Sequence, residues 1–163
     1  MPGPVESSLS GTRFATARTG PVSIPLLGLG AVLSALAALA AVDALGGDAA
    51  ILAPRLGSAA RRPLRMEPRR LDEIDWVLDC YNASPESSRL AIAFLREVPH
   101  VGRRILVLGE LGELGEHSET IHRDLGRRAG ACLLYTSDAA DRRSGVGLGG
   151  ARTFKKKKQR RTT

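Results

Sequence analysis

Hydrophobic and polar positions repeat with different spacings in successive parts of the chain. In residues 11–26, GTRFATARTGPVSIPL, apolar residues alternate with polar ones on either side of a Thr-Gly pair. This pattern predicts two short strands joined by a turn. Three side chains are expected to face inward, namely Phe14, Val22 and Ile24. Residues 31–45 are rich in Ala and Leu and predict a helix that ends before a Gly-Gly pair, and residues 49–58 predict a second, shorter helix.

The Ala/Leu segment raises the question of a membrane span. Residues 24–42 form a run of 19 residues without a charge, and a span needs about 20. However, nine of these residues are Ala, Gly or Ser, and Pro25, Gly28 and Gly30 interrupt the first third. The pattern therefore favours a buried helix of a soluble α/β protein over a membrane span.

The second half of the chain changes to a strand-helix-strand-helix order. Residues 74–80, IDWVLDC, and 102–109, GRRILVLG, are continuous apolar runs typical of strands buried on both faces. Ser84 is placed to cap the helix between them, with Pro85 at its first position, and Ser118 is placed to cap the last helix. The order predicts an α/β fold with an incomplete Rossmann-like parallel sheet.

Composition suggests where the chain divides. Residues 63–68 combine prolines and arginines without a hydrophobic period, which predicts a domain boundary. We therefore expect one unit at residues 1–62, a second at 63–131 and a tail at 132–163. The net charge is +7, and the tail holds nine basic and two acidic residues, so the rest of the chain is neutral.

Two interpretations of the tail remain. Its beginning, CLLYTSDAAD, resembles the translation of a sequencing adapter, which would make residues 132–163 an artefactual, disordered extension. Alternatively, its four consecutive lysines bind nucleic acid or acidic lipid, although no aromatic residues are interleaved among them. We favour the artefact, and with it the prediction that the protein has no nucleic-acid partner.

Cysteine and histidine positions give no metal site. Cys80 and Cys132 form no CxxC pair, which is typical of a reduced, cytoplasmic protein, and Cys80 is predicted to be a small buried strand residue. His117 and His122 are separated by about 140° on a helix, a poor arrangement for one metal. We expect both histidines to be solvated polar residues near the start of a helix.

The loop after the first apolar strand is the candidate ligand site. Asp79, Tyr81 and Asn82 lie where a strand is followed by a helix, the edge at which open α/β sheets bind ligands. A carboxylate suits a diol, and an aromatic ring or an amide suits a purine. The alternative is an Asx-type turn in which Asp79 and Asn82 only hold the corner.

Two segments carry a resemblance to a known family. Residues 79–95, DCYNASPESSRLAIAFL, and 102–126, GRRILVLGELGELGEHSETIHRDLG, resemble the C-terminal domain of the Mur ligases, whose signatures read D-x-Y-N-A-N-P-x-S and L-G-D-M-x-E-L-G-x-x-S. Upstream, GTRF and the Ala/Leu helix resemble the end of the central ATPase domain of that family. The resemblance extends over about residues 6–131. It departs from the family at Gly30, Ala31 and Ser34, where the family has polar residues near ATP.

The resemblance implies an ATP-dependent amide ligase of peptidoglycan precursor synthesis, and so of cell-wall biogenesis, cell shape and cell division. Its substrates would be UDP-N-acetylmuramoyl-tripeptide and D-alanyl-D-alanine, and its cofactors ATP and Mg²⁺. Asp79 would bind the ribose hydroxyls, Tyr81 and Asn82 would border the adenosine, and the glycine-rich 109–117 segment would be a mobile loop beside the substrate. The expected protein is a cytoplasmic monomer.

The sequence also sets a limit on activity. It has no G-x-x-x-x-G-K-[ST] phosphate loop and no lysine before Lys155. We therefore expect a fragment that is inactive alone, carries no catalytic residue or metal ligand, and derives from a ligase whose phosphate and metal sites lie upstream of Met1. The alternative is a non-enzymatic α/β nucleotide-binding or regulatory module with a basic tail.

Overall fold

The N-terminal half begins with a small antiparallel sheet. The computed structural model describes residues 3–132. Strands β1 (Glu6–Ser8), β2 (Gly11–Thr16) and β3 (Gly20–Ile24) are hydrogen-bonded in that order. β2 and β3 are the two predicted strands, and Phe14 lies opposite Val22 in their register. The three residues expected to face inward are at most 5% exposed. β1 was not predicted.

Helix α1 (Gly28–Ala44) covers this sheet. Its buried residues Val32, Ala35 and Leu39 follow helical spacing and pack in one cluster with the apolar side chains of the sheet. The helix begins earlier than predicted because the buried hydroxyl of Thr12 accepts a hydrogen bond of 2.9 Å from the Gly28 N–H. Within residues 3–132, no helix is both long enough and apolar enough to cross a membrane.

A short helical segment completes the N-terminal half. Helix α2 (Ala49–Leu52) runs into a 3-10 helix (Ala53–Ser58), so the predicted single helix is divided in two. The Asp48 carboxylate caps α2 by accepting a hydrogen bond from Ala50 N at 2.8 Å.

The second half combines strands and helices, as predicted for an α/β fold, but both strands come before the helices, so the predicted strand-helix-strand-helix order was wrong. Strands β4 (Glu67–Leu71) and β5 (Ile74–Leu78) form a hairpin, followed by α3 (Pro85–Glu97), a 3-10 helix (Gly115–His117) and α4 (Ser118–Cys132). Ser84 caps α3 as predicted: its hydroxyl accepts from Ser87 N, and the Ser87 hydroxyl accepts from Ser84 N. This reciprocal pair is a capping box.

The strand pairing differs from the predicted parallel sheet. All pairings among the described residues are antiparallel, and β5 pairs with β4, a strand that the sequence did not predict. Residues 103–109 are extended but form no strand ladder within the described part of the chain. A two-residue turn at 72–73 brings β4 onto one edge of β5, and this short loop keeps the entropic cost of the antiparallel pair low.

Two expectations about burial were wrong. The predicted fully buried strand 74–80 ends at Leu78 and leaves Ile74 56% and Trp76 42% exposed, because the β4–β5 hairpin is covered on one face only. Cys80 is free and exposed, because it lies in the loop beyond the strand. Apart from Cys132, the last residue of α4, the predicted tail lies outside the described residues.

The two halves share an apolar contact. Leu27 packs with Phe94 and Val98 of the α3 region, and Met66 and Val77 cover this cluster. Gly28 adopts φ +77 there, and a Cβ atom at this position would lie 3.2 Å from the Phe94 ring, so glycine allows the close approach.

Candidate functional site

The candidate ligand loop runs from Asp79 to Ser84, between the end of β5 and the start of α3. Strand pairing fixes its first end, and the capping box at Ser84 fixes its second. Asp79 is half-buried, whereas Tyr81 and Asn82 are exposed, Tyr81 to 65% of its surface. The structure thus places all three predicted residues in one short, firmly held loop with two polar side chains open to solvent.

A neighbouring segment, residues 64–66, holds this loop from one side. The Asp79 carboxylate accepts a hydrogen bond of 3.1 Å from Met66 N through Oδ1, and Tyr81 N donates to Leu64 O at 3.0 Å. The Arg65 guanidinium carbon lies 4.3 Å from the centroid of the Tyr81 ring, a cation–π contact. One Asp79 oxygen therefore has a structural role, but its partner lies 13 residues away, so this bond is not the predicted Asx-type turn. The carboxylate has further acceptor capacity on Oδ2.

The backbone of this neighbouring segment is unusual. Leu64 and Met66 have φ values of +58 and +44, which non-glycine residues adopt only where the surroundings enforce them. The Glu67 carboxylate contributes by accepting a hydrogen bond of 2.9 Å from Leu64 N. This bond, together with the hydrogen bond from Arg69, lowers the pKa of Glu67 below its ordinary value. These contacts could not be predicted from hydrophobic spacing, because the segment has no hydrophobic period.

The glycine-rich loop, Gly109 to Gly115, is the second polar element. Its Leu111 side chain is 3% exposed and packs with Ile92 and Leu125, so the loop is anchored between α3 and α4. Leu111 N donates a hydrogen bond of 3.0 Å to His122 Nε2. The expectation that His122 is a solvated residue was therefore wrong, whereas His117 is exposed as expected. No periodic pattern pointed to this contact, because it joins a loop to a helix.

The geometry fits the nucleoside end of a nucleotide better than its phosphates. Around Asp79, the loop offers a carboxylate acceptor, an aromatic ring and an amide. The glycine-rich loop instead carries Glu110 and Glu113, whose charges would repel phosphates. Between residues 3 and 132, no group of three or more His, Cys, Asp or Glu side chains is arranged to hold a metal ion.

Comparison with protein-family models identifies the family to which the chain belongs. The family model described as Mur ligase, glutamate ligase domain, matches residues 64–152, more than half of the chain. The chain belongs to the Mur ligase family. The resemblance seen in the two signature segments is thereby confirmed.

Individual Mur ligases agree with this assignment. The chain is 36% identical over 104 residues to the UDP-N-acetylmuramoyl-tripeptide–D-alanyl-D-alanine ligase of Bacillus subtilis (strain 168), covering 63% of the chain and 23% of that ligase. It is 34% identical over 139 residues to the ligase of the same name from Escherichia coli (strain K12), covering 79% of the chain and 30% of that ligase. The chain thus spans less than a third of the length of either relative.

Solved structures show the same fold. MurF from Acinetobacter baumannii superposes with a TM-score of 0.74 at 29% identity, over 83% of this chain and 30% of that one. MurF ligase from Thermotoga maritima, solved in complex with ADP, gives a TM-score of 0.71 at 28% identity, over 84% and 32%. These likenesses confirm the predicted α/β fold at the level of the Mur ligase domain.

Proposed function

We propose that the chain is part of an ATP-dependent amide ligase that adds D-alanyl-D-alanine to UDP-N-acetylmuramoyl-tripeptide in peptidoglycan precursor synthesis. The observation that carries this proposal is the family match at residues 64–152, joined to relatives whose names state this reaction. The chain itself supplies a ligand-facing loop rather than a catalytic centre.

The division of the chain is part of the proposal. Residues 1–62 correspond to the end of a central ATPase domain and residues 63–131 to the first half of a C-terminal domain. The start of the family match at residue 64 supports this division. The match continues to residue 152, inside the segment that the sequence assigns to an artefactual tail. Sequencing the native DNA that follows residue 131 would show whether this segment is an adapter or the natural continuation of the C-terminal domain.

Asp79, Tyr81 and Asn82 are proposed to contact the nucleoside of ATP. Asp79 Oδ2 accepts hydrogen bonds from the ribose hydroxyls while Oδ1 stays on Met66 N. Tyr81 and Asn82 border the purine, and Arg65 holds the tyrosine ring in place. ATP, when bound, supplies the phosphoryl group that activates the peptide carboxylate. An ADP complex of the structurally similar Thermotoga maritima ligase supports a nucleotide as the ligand.

The metal ion of the reaction is not assigned to this part of the protein. Mg²⁺ prefers carboxylates and phosphate oxygens in near-octahedral geometry. Within residues 3–132, no group of three or more potential ligands is arranged to hold a metal ion. The proposed cytoplasmic location rests on the expected substrates and on a sequence whose two cysteines form no CxxC motif, and the monomeric state stays a prediction.

The native reading frame around this sequence tests the proposal. Sequencing the locus is expected to reveal an in-frame G-x-x-x-x-G-K-[ST] motif upstream. The purified parent protein is then expected to form ADP and UDP-N-acetylmuramoyl-pentapeptide, while the 163-residue chain alone forms neither. Turnover by the 163-residue chain alone would contradict the fragment interpretation. A parent without a phosphate loop and without turnover would favour the non-enzymatic module.

A further inference from the structure

The ring nitrogens of His122 contact three groups, and the shorter contact of Nδ1 together with the contact of Nε2 indicates the tautomer; the third group is the Ser118 hydroxyl, 3.3 Å from Nδ1. Its Nδ1 lies 2.8 Å from Ser118 O, a carbonyl oxygen that only accepts, so Nδ1 carries the proton. Its Nε2 lies 3.0 Å from Leu111 N, a backbone group that only donates, so Nε2 carries a lone pair. Both bonds are satisfied together only by the neutral ring with its hydrogen on Nδ1.

The bond to Leu111 matters because it joins the backbone of the glycine-rich loop to α4. The Leu111 side chain is buried between α3 and α4, and its N–H is bound to α4 through His122. On either side of it, Glu110 and Glu113 are exposed, and Glu113 has a φ of +61. A non-glycine residue keeps this conformation only where neighbouring contacts hold it.

We propose that His122 is a positioning residue: through the Leu111 N–H it fixes the backbone from which the Glu110 and Glu113 carboxylates project. This role rests on the proposed function, in which the glycine-rich loop borders the ligase substrates. A histidine that only stabilised α4 would need the Ser118 contact, four residues away on the same helix, and not the contact to Leu111.

Nuclear magnetic resonance of the ¹⁵N-labelled 163-residue chain tests the proposal directly. The imidazole ¹⁵N shifts of His122 are expected to show a protonated Nδ1 and an unprotonated Nε2. Amide hydrogen exchange at Leu111 is then compared among His122→Asn, His122→Gln and the control His117→Asn. Asn retains a donor near the Nδ1 position without an acceptor at the Nε2 position, whereas the longer Gln restores an acceptor there.

The expected result is an amide exchange rate at Leu111 that rises roughly two- to tenfold in His122→Asn, the scale of one hydrogen bond. His122→Gln is expected to recover most of the protection, and His117→Asn to leave the rate unchanged. An Nε2–H tautomer in the unmodified chain would overturn the proposal even if a variant failed to fold. Equal exchange rates in all four proteins would overturn it as well.

The parent ligase provides the functional comparison. His122→Asn is expected to change kcat or the KM for D-alanyl-D-alanine and to leave the KM for ATP unchanged, with partial recovery in His122→Gln. Unchanged ligation kinetics in His122→Asn would overturn the positioning role. Absence of ligation in the unmodified parent would instead refute the proposed function, and the exchange experiment would still decide whether His122 holds the loop.

Discussion

The strands of the two halves differ in how completely their apolar side chains are covered. In the N-terminal half, the cluster around Phe14 and Val32 is between 0% and 7% exposed. In the second half, four apolar residues on extended segments are between 42% and 67% exposed, namely Ile74, Trp76, Ile105 and Val107. The inward apolar side chains of β2 and β3 are therefore closed into a core with α1, whereas those of β5 and of residues 103–109 include positions that stay exposed.

This difference follows from where the packing partners lie along the sequence. β2, β3 and α1 are consecutive, so their contacts close short loops at low entropic cost. In the second half, Leu106 and Leu108 pack against the cluster of α3 and α4, while the alternate residues Ile105 and Val107 face solvent. Both candidate loops, residues 79–84 and 109–115, belong to the second half.

The largest expected effect is on the core of the N-terminal half. Phe14→Ala removes a ring that is 3% exposed, and it should lower the free energy of unfolding by about 3–5 kcal/mol. Trp76→Ala, at a side chain that is 42% exposed, should cost about 1 kcal/mol or less. Urea unfolding followed by circular dichroism measures both values.

Similar losses of unfolding free energy in Phe14→Ala and Trp76→Ala would contradict the difference between the two halves, because they would show that Trp76 is as well packed as Phe14. If Phe14→Ala is too unstable to fold, Phe14→Leu should still give a loss in the same direction, since it removes fewer buried atoms.

A medium effect is expected at the start of α3. Ser84→Ala deletes the hydroxyl that accepts the Ser87 N–H at 3.1 Å, and N-cap losses of this kind cost about 1 kcal/mol. The exposed Ser58, whose hydroxyl donates a hydrogen bond to Arg55 O, is the matched control. A thermal melt in which both Ser→Ala variants shift equally would show that the capping box adds nothing to the second half.

A smaller effect, dependent on pH, is expected at the contact between α3 and α4. The hydrogen bonds from Arg128 and Arg89 hold the pKa of Asp124 below its ordinary value. A folded-state pKa that is lowered stabilises the fold above the unfolded-state pKa, and this contribution is lost as the pH falls through the folded-state pKa. Asp124→Asn should therefore destabilise the protein slightly at neutral pH and have no effect in strong acid.

Urea midpoints measured from neutral to strongly acidic pH test this expectation. The control places Asp124→Asn in a chain that already carries Arg89→Gln and Arg128→Gln, where the pH-dependent difference should disappear. A difference in urea midpoint between the unmodified protein and Asp124→Asn that grows as the pH falls would contradict a lowered pKa of Asp124 in the folded state.

No change in melting temperature is expected when the C-terminal segment is removed. Deleting residues 133–163 leaves α4 whole, and we expect the melting temperature to stay the same if this segment is an artefact. Replacing it with the native continuation should raise the melting temperature, because added strands would cover Ile105 and Val107. A deletion that lowers the melting temperature would show that the segment belongs to the fold.

The sequence predicted what depends on local spacing. The β2–β3 hairpin, the buried face of α1, the Ser84 cap and the loop of Asp79, Tyr81 and Asn82 all follow from patterns within a few residues. It missed β4, the exposure of Cys80 and the two contacts that hold the ligand-facing loops. Those contacts join Asp79 to Met66 and His122 to Leu111, pairs 13 and 11 residues apart, and no periodicity connects such positions. Strand pairing likewise depends on which partner is available, and hydrophobic runs do not specify that.

The proposed contact between Asp79 and the nucleoside of ATP is tested by measuring the KM for ATP of Asp79 variants of the intact parent ligase. Asp79→Asn keeps an oxygen for the Met66 N–H and loses the second carboxylate acceptor, so it separates the fold from the ligand contact. We predict that Asp79→Asn and Asp79→Ala raise the KM for ATP by roughly 10- to 150-fold, the scale of a lost hydrogen bond to a charged group. The KM for D-alanyl-D-alanine should stay unchanged. An Asp79→Asn enzyme with a normal KM for ATP and a normal melting temperature would contradict the account and leave Asp79 as a residue that only holds the turn.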